Sequence, residues 1–163
     1  FRVPQFYNIT TGNYTVIATC RVFEEVFNDT LTMFISDTFT VINIEDTYTC
    51  HGPPGYVPET SFSKSGGEVI YANVTLRNYD PYDAYPVLVT ITVLDKKSQT
   101  LGVASFDTWI APGAHSTILG PVSIPTNAIA GPATVQSGAY TDWPYLYGIA
   151  YCKVFVYPFT IAS

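Results

Sequence analysis

The chain predicts an all-β fold, an antiparallel β-sandwich preceded by an extended N-terminal strand. Three observations carry that prediction. Apolar residues recur with period 2 in short stretches rather than with period 3.6. The stretches are separated by Gly, Pro, Asn and Asp clusters at regular spacing. No stretch of helical length shows helical periodicity, and short antiparallel strands bury one face best by packing sheet on sheet.

From the N-terminus, Phe1, Val3, Phe6, Tyr7 and Ile9 form an apolar tail in which Pro4 and Gly12 disfavour helix. From Tyr14 the chain alternates, with Val16, Ala18, Cys20 and Val22 on one side and Thr15, Ile17, Thr19 and Arg21 on the other. An apolar strand at a free terminus must pair its backbone and bury its side chains. The expected partner is an edge of a neighbouring copy, so residues 1–12 read as an extension and 13–163 as the head domain. Glu24–Thr30 reads as a charged turn, Leu31–Ile35 and Phe39–Ile44 as short strands, and Glu45–Lys64, with its Gly-Pro-Pro-Gly run, as a loop. Beyond Gly67 the alternation is regular. Ile70, Ala72, Val74 and Leu76 face inward, and so do Val87, Val89, Ile91 and Val93 of Val87–Asp95. Leu101–Ile110, His115–Ile124, Ala133–Thr141 and Ile149–Ile161 complete the strands. Thr126–Pro132 is the expected place for a single helical turn, and Asp142–Gly148 (DWPYLYG) is an aromatic loop.

Composition narrows the function. Hydrophobic residues make up 47% and charged residues 12%, about half the usual share of charge. Such a chain builds a core and lacks the signature of disorder. A net charge of −6 with seven Lys plus Arg argues against nucleic acid as a partner. No apolar run is long enough to span a bilayer. The chain opens on Phe1 rather than Met, as a chain trimmed of a secretory signal does, so an extracellular location is expected. No H-E-x-x-H, G-x-S-x-G or Gly-rich phosphate loop is present, and His51 and His115 both lie in or beside turns, so no enzymatic activity and no cofactor are expected.

Four N-x-[ST] sequons, at Asn8, Asn13, Asn28 and Asn73, are candidate N-glycosylation sites. Asn73 falls on the outer phase of its strand, where a glycan has room. Cys20, Cys50 and Cys152 allow one internal disulfide and one leftover thiol. A Cys50–Cys152 bridge would tie the early loop to the last strand and, by closing ~100 residues, stabilise the fold by about 4–5 kcal/mol. Cys20–Cys50 is the alternative pairing, and three buried free thiols the remaining one. Asp80 and Asp83, with Asp107 or Asp142, are the residues from which a calcium site would be built, but turn capping explains them without metal, and no metal is expected. Trp143, Tyr145 and Tyr147 would stack on sugars, or pack between subunits or over the sandwich end, which is the expectation.

The runs VTLRNYDPYDAYPVLVTITVLD, FDTWIAPGAHSTILGPVSIPTNAIAGPATV and AYTDWPY resemble Ig-like modules of archaeal secreted surface proteins, over roughly Gly67–Ile161. With the extended tail, the sequons and the Tyr/Thr-rich composition, the whole chain resembles the thread pilins of Sulfolobales archaea. The resemblance implies an Ig-like, pilin-like sandwich, secreted and N-glycosylated, that polymerises with identical subunits into a cell-surface filament active in adhesion or biofilm formation. It also implies donor-strand complementation, in which Phe1, Val3, Phe6, Tyr7 and Ile9 fill the sheet of the next copy. Their burial would be worth on the order of 10 kcal/mol before ordering costs. The other expectation is an Ig-like binding or stalk module of a larger surface protein.

Overall fold

The computed structural model describes residues 12–22, 25–35, 40–53 and 55–163, the first two stretches as backbone. Ten strands follow in order: β1 (Gly12–Val22), β2 (Glu25–Ile35), β3 (Ile42–Cys50), β4 (Ser61–Ser63), β5 (Val69–Asn78), β6 (Tyr85–Leu94), β7 (Thr100–Ile110), β8 (His115–Ser123), β9 (Gly131–Tyr140) and β10 (Phe155–Ala162). They fall into two units, Phe1–Phe39 and Thr40–Ser163. The N-terminal unit thus runs past the expected boundary at residue 12. It contains a two-stranded antiparallel ladder in which Gly12 opposes Ile35 and Val22 opposes Glu25. The expected charged turn at Glu24–Thr30 is therefore mostly strand. The donor residues Phe1, Val3, Phe6, Tyr7 and Ile9, and the sequon at Asn8, lie outside the described residues.

The second unit is an antiparallel, Ig-like β-sandwich. One sheet has the order β4-β10-β9-β6-β7 and the other β3-β5-β8. In the immunoglobulin scheme strands A, B and E share one sheet and G, F and C the other. Here β3, β5 and β8 take the first set of places and β10, β9 and β6 the second. Strand β7 sits beside β6 in the C′ position, and the short β4 pairs in parallel with β10. The connections β5–β6 and β8–β9 cross between the sheets, as a Greek key requires.

The inner faces follow the alternation. Ile70, Ala72, Val74 and Leu76 of β5 are buried against Val87, Val89, Ile91 and Val93 of β6, with Val135 and Ala139 of β9 and Phe159 and Ile161 of β10 beside them. Val, Ile, Thr and Tyr dominate these strands because branched and aromatic side chains fit a pleated, half-buried surface. Two departures from expectation have local causes. β3 continues to Cys50, through the first part of what reads as a loop, because a bulge at Glu45 shifts the register between Ile44 and Asp46. The inward row then runs Ile42, Ile44, Thr47, Thr49, with threonines replacing isoleucines as the buried residues. At the other end of the chain, Ile149–Val154 is not strand. It touches β9 through one bridge, Tyr140 to Ala150, and β10 begins only at Phe155. The expected helical turn at Thr126–Pro132 is a plain turn, and a 3-10 turn instead occupies Pro144–Leu146.

Ile91 is fully buried at the centre of the inner face. Its replacement by Ala should lower the unfolding free energy by about 2–5 kcal/mol in urea titration, the range for deletion of a buried aliphatic side chain.

Candidate functional site

Three connections meet at one end of the sandwich: residues 79–84 between β5 and β6, residues 111–114 between β7 and β8, and residues 141–154 between β9 and β10. Register places them together, since Tyr85 opposes Ile110, Pro86 opposes Trp109, and Leu88 opposes both Asp107 and Tyr140.

Asn78, fully buried at the end of β5, holds this end in shape. Its Nδ2 donates to the carbonyls of Asp83 (2.8 Å), Ile110 (3.1 Å) and Ala111 (3.2 Å), and its Oδ1 accepts from Asp80 N at 2.9 Å. Gly113 N donates to Asp80 O at 2.9 Å. Asp80 caps the first loop, with Oδ1 accepting from Tyr82 N and Asp83 N and Oδ2 from the Tyr85 hydroxyl. The aspartates singled out for calcium thus include one engaged in turn capping, and among the described residues no three His, Cys, Asp or Glu side chains gather as metal ligands.

The third connection is folded on itself. Trp143 O accepts from Leu146 N and Gly148 N, and Thr141 and Ile149 exchange hydrogen bonds at its neck. Gly148 has no alternative, because a Cβ there would run into the Asp142 carbonyl. The Trp143 and Tyr145 rings stack at 6.2 Å with planes 23° apart. Tyr151 stands edge-on to Tyr85 and donates its hydroxyl to Pro86 O at 2.9 Å. The scaffold leaves several large side chains in solvent: Tyr147 is 94% exposed, Tyr82 86%, Tyr145 74% and Trp109 70%. The aromatic loop therefore presents both its tyrosine rings to solvent, while Trp143 is half-buried. Trp109 was not legible as a site residue, although its place in the polar phase of FDTWIAP was the available signal.

A charged cluster borders this end. The bulge aims Glu45 at the outer face, where Oε1 accepts from the Tyr79 hydroxyl at 2.8 Å and lies 3.7 Å from Arg77, and Oε2 lies 3.0 Å from His115 Nδ1. Arg77 sits over the Tyr79 ring at 4.7 Å. The hydrogen bond to Glu45 raises the Tyr79 phenol above its ordinary value.

The opposite end carries a histidine clasp. His51 Nδ1 meets Glu59, its Nε2 meets Glu68, and the other Glu68 oxygen accepts from Ser63 N. The hydrogen bond with Glu68, and then that with Glu59, raises the His51 pKa above 6.5 against the opposing effect of burial.

The remaining sequence-derived sites separate clearly. Cys50 and Cys152 are both buried and are not bridged to each other, so the expected Cys50–Cys152 disulfide is corrected, while the side chain of Cys20, needed for the alternative pairing, lies outside the described residues. Geometry explains the first. Cys152 hydrogen-bonds the Ile44 backbone, and Ile44 stands six strand residues, about 20 Å, from Cys50, whereas a disulfide needs Cα atoms within about 7 Å. Burial pushes both thiols up. Asn73 does lie on the outer phase of β5, but it is only 7% exposed and its Nδ2 donates to the Tyr48 hydroxyl at 2.9 Å. The expected room for a glycan is not there: attachment would require breaking that bond and lifting the amide out from between β3 and β8. Asn13 and Asn28 lie on β1 and β2. Among the described residues no helix is long and apolar enough to cross a membrane.

No protein family matches the chain, and no curated protein is similar to it in sequence. Among solved structures it is similar to the C-terminal domain of wzt, with a TM-score of 0.57 and 8% identity over 76% of this chain and 74% of that one. Weaker likenesses are to a β-glucosidase from Listeria innocua, at TM-score 0.48 and 14% identity over 71% of this chain and 16% of that one, and to an immunoglobulin-like protein from Pseudomonas aeruginosa, at TM-score 0.38 and 11% identity over 74% and 96%. At such identity the first likeness speaks of architecture alone.

Because the folded pKa of His51 lies above its unfolded value, the clasp contributes stability that is complete below pH 6.5 and is lost as pH rises through the raised pKa. The difference in Tm between the native chain and His51→Gln should therefore be largest at pH 6 and shrink steadily toward pH 9. Dithiothreitol should leave the unfolding transition of the sandwich where it is, and alkylation of Cys50 and Cys152 should wait on unfolding.

Proposed function

We propose that the chain is a structural subunit of an extracellular filament similar to the archaeal thread pilins, in which the N-terminal strand, residues 1–12, completes the sheet of the next copy. The observation that carries this reading is the division of the chain. The sandwich from Thr40 onward has its own core, while the N-terminal unit holds a ladder of only two strands among its described residues. A two-stranded ladder is marginal by itself in water and needs a further strand or a covering layer. The three-stranded sheet offers a place for one. Its outer strands β3 and β8 are each paired on one side only among the described residues, and no counterpart of the immunoglobulin D strand lies beside β8.

Strand addition would take its affinity from main-chain hydrogen bonds and its register from alternate side chains of the donor. Phe1, Val3, Tyr7 and Ile9 share one phase of an extended strand, and with Phe6 they have the bulk for that role. A contact between one end of a subunit and the body of the next is heterologous and does not close, so it propagates into a fibre. N-glycans at Asn8, Asn13 and Asn28 would shield such a fibre at its surface. The low charge content suits an acidic exterior, where ion pairs between carboxylates and bases fail but ladders and apolar burial persist. The exposed aromatic end favours the second reading, a binding or stalk module of a larger surface protein.

Negative-stain microscopy and sedimentation of the full chain and of a chain lacking residues 1–11 separate the two. The filament reading expects fibres from the full chain and soluble subunits from the shortened one. Fibres from both, or a monodisperse monomer from the full chain at high concentration, would sink it.

A further inference from the structure

The aromatic end places a tyrosine in a conformation usually left to glycine, at the turn that brings Gly148 N to Trp143 O. Tyr147 adopts φ 63°, the left-handed region that side chains with a Cβ rarely enter. A bulky residue there costs on the order of 1 kcal/mol relative to Gly. In return the ring is 94% exposed, so the conformation is not repaid by burial. The turn accounts for the backbone conformation, but nothing in the sandwich covers the side chain placed there.

Around Tyr147 the features agree. Tyr145 and Trp109 also turn most of their area to solvent. The loop that bears the two tyrosines is closed on itself by the hydrogen bonds of Trp143 O, and its neighbours are fastened by Asn78 and by Gly113 N to Asp80 O. Rings held in advance lose little freedom when a ligand arrives. The exposed charges at this end are mainly carboxylates, Asp83, Asp107 and Asp142, with Lys153 the exposed cation of the third connection. Carboxylates accept hydrogen bonds and repel anions, so phosphates, nucleic acids and acidic polymers are poor partners. A ligand that matches open ring faces and surrounding acceptors has an apolar C–H face and a rim of hydroxyl donors.

We propose that this end of the sandwich is a carbohydrate-binding site for neutral glycans, with Tyr145, Tyr147 and Trp109 as stacking platforms and the neighbouring aspartates as hydroxyl acceptors. The site is independent of how subunits assemble, since all its residues belong to the sandwich.

The chain's two tryptophans, Trp109 and Trp143, both lie at this end, so intrinsic fluorescence reports on it directly. The experiment titrates the full chain with mannohexaose, maltohexaose and chitohexaose, with hexagalacturonate as the acidic control, by fluorescence and calorimetry. At least one neutral hexasaccharide should bind with saturable change, and hexagalacturonate should bind more weakly. Tyr145→Ala and Tyr147→Gly should each weaken the response by about tenfold or more. Tyr147→Gly should do so with Tm unchanged or raised, since it removes the strained side chain. The proposal is overturned by no saturable change up to about 10 mM of any neutral probe, a concentration above the weakest specific affinities worth the name. It is equally overturned by preference for the acidic glycan, by binding that both variants leave intact, or by a fall in Tm in Tyr147→Gly. Loss of self-association in the variants without any glycan response would assign the surface to contacts between copies instead.

Discussion

Burial of one sheet's inner face against the other is the constraint on which the remaining features depend. β5 and β6 are neighbours in sequence but lie in opposite sheets, and their rows of Ile, Val and Leu meet at the centre of the core. Each row is held in phase by ladders on both sides, β3 and β8 flanking β5, and β9 and β7 flanking β6. Because the side-chain period is two, a slip of one residue in either central strand would turn the apolar row outward. The same pairing that protects the core brings the starts and ends of β5, β6, β7 and β9 to one level, and so creates the end on which the aromatic rings stand. The loops are specialised, but their placement is a by-product of the core.

That end shows how a chain poor in charge still builds specific geometry. Asn78 spends its whole side chain on backbone groups of two segments, the β5–β6 connection and the end of β7. A neutral amide serves here better than an ion would, because its donors and acceptor are satisfied without any desolvated charge. Where ions do appear, around Glu45 and around His51, they stay partly in solvent and act between neighbouring strands or loops.

Much of the sandwich was readable from alternation alone. The inward rows of β5 and β6 fall on the residues that period 2 selects, and the turns at residues 79–84 and 111–114 sit where Asn, Asp, Pro and Gly cluster. Reading failed where a local signal opposed the global one. Glu45 adds a residue to β3 and breaks the alternation, so Thr47 and Thr49 looked like loop when they are core. Glu25–Thr30 carries charges and a sequon, both turn-like, yet pairs along its length with β1. Ile149–Val154 is apolar enough for a strand, but the closed Trp143 loop delivers it to β9 at a single point. At the candidate site the aromatic loop was legible and Trp109 was overlooked, although alternation puts it in phase with Asp107 and so on the outer face. Asn78 looked like one more turn residue, and only its fully buried amide reveals its role.

The two cysteines of the sandwich, not bridged to each other, bear on how this unit holds its shape. A secreted β-domain whose halves are stapled by sulfur depends on an oxidising compartment and on thiol-exchange catalysts to reach its native state. No bond between Cys50 and Cys152 joins the halves of this sandwich, so reduction has no staple of that kind to remove.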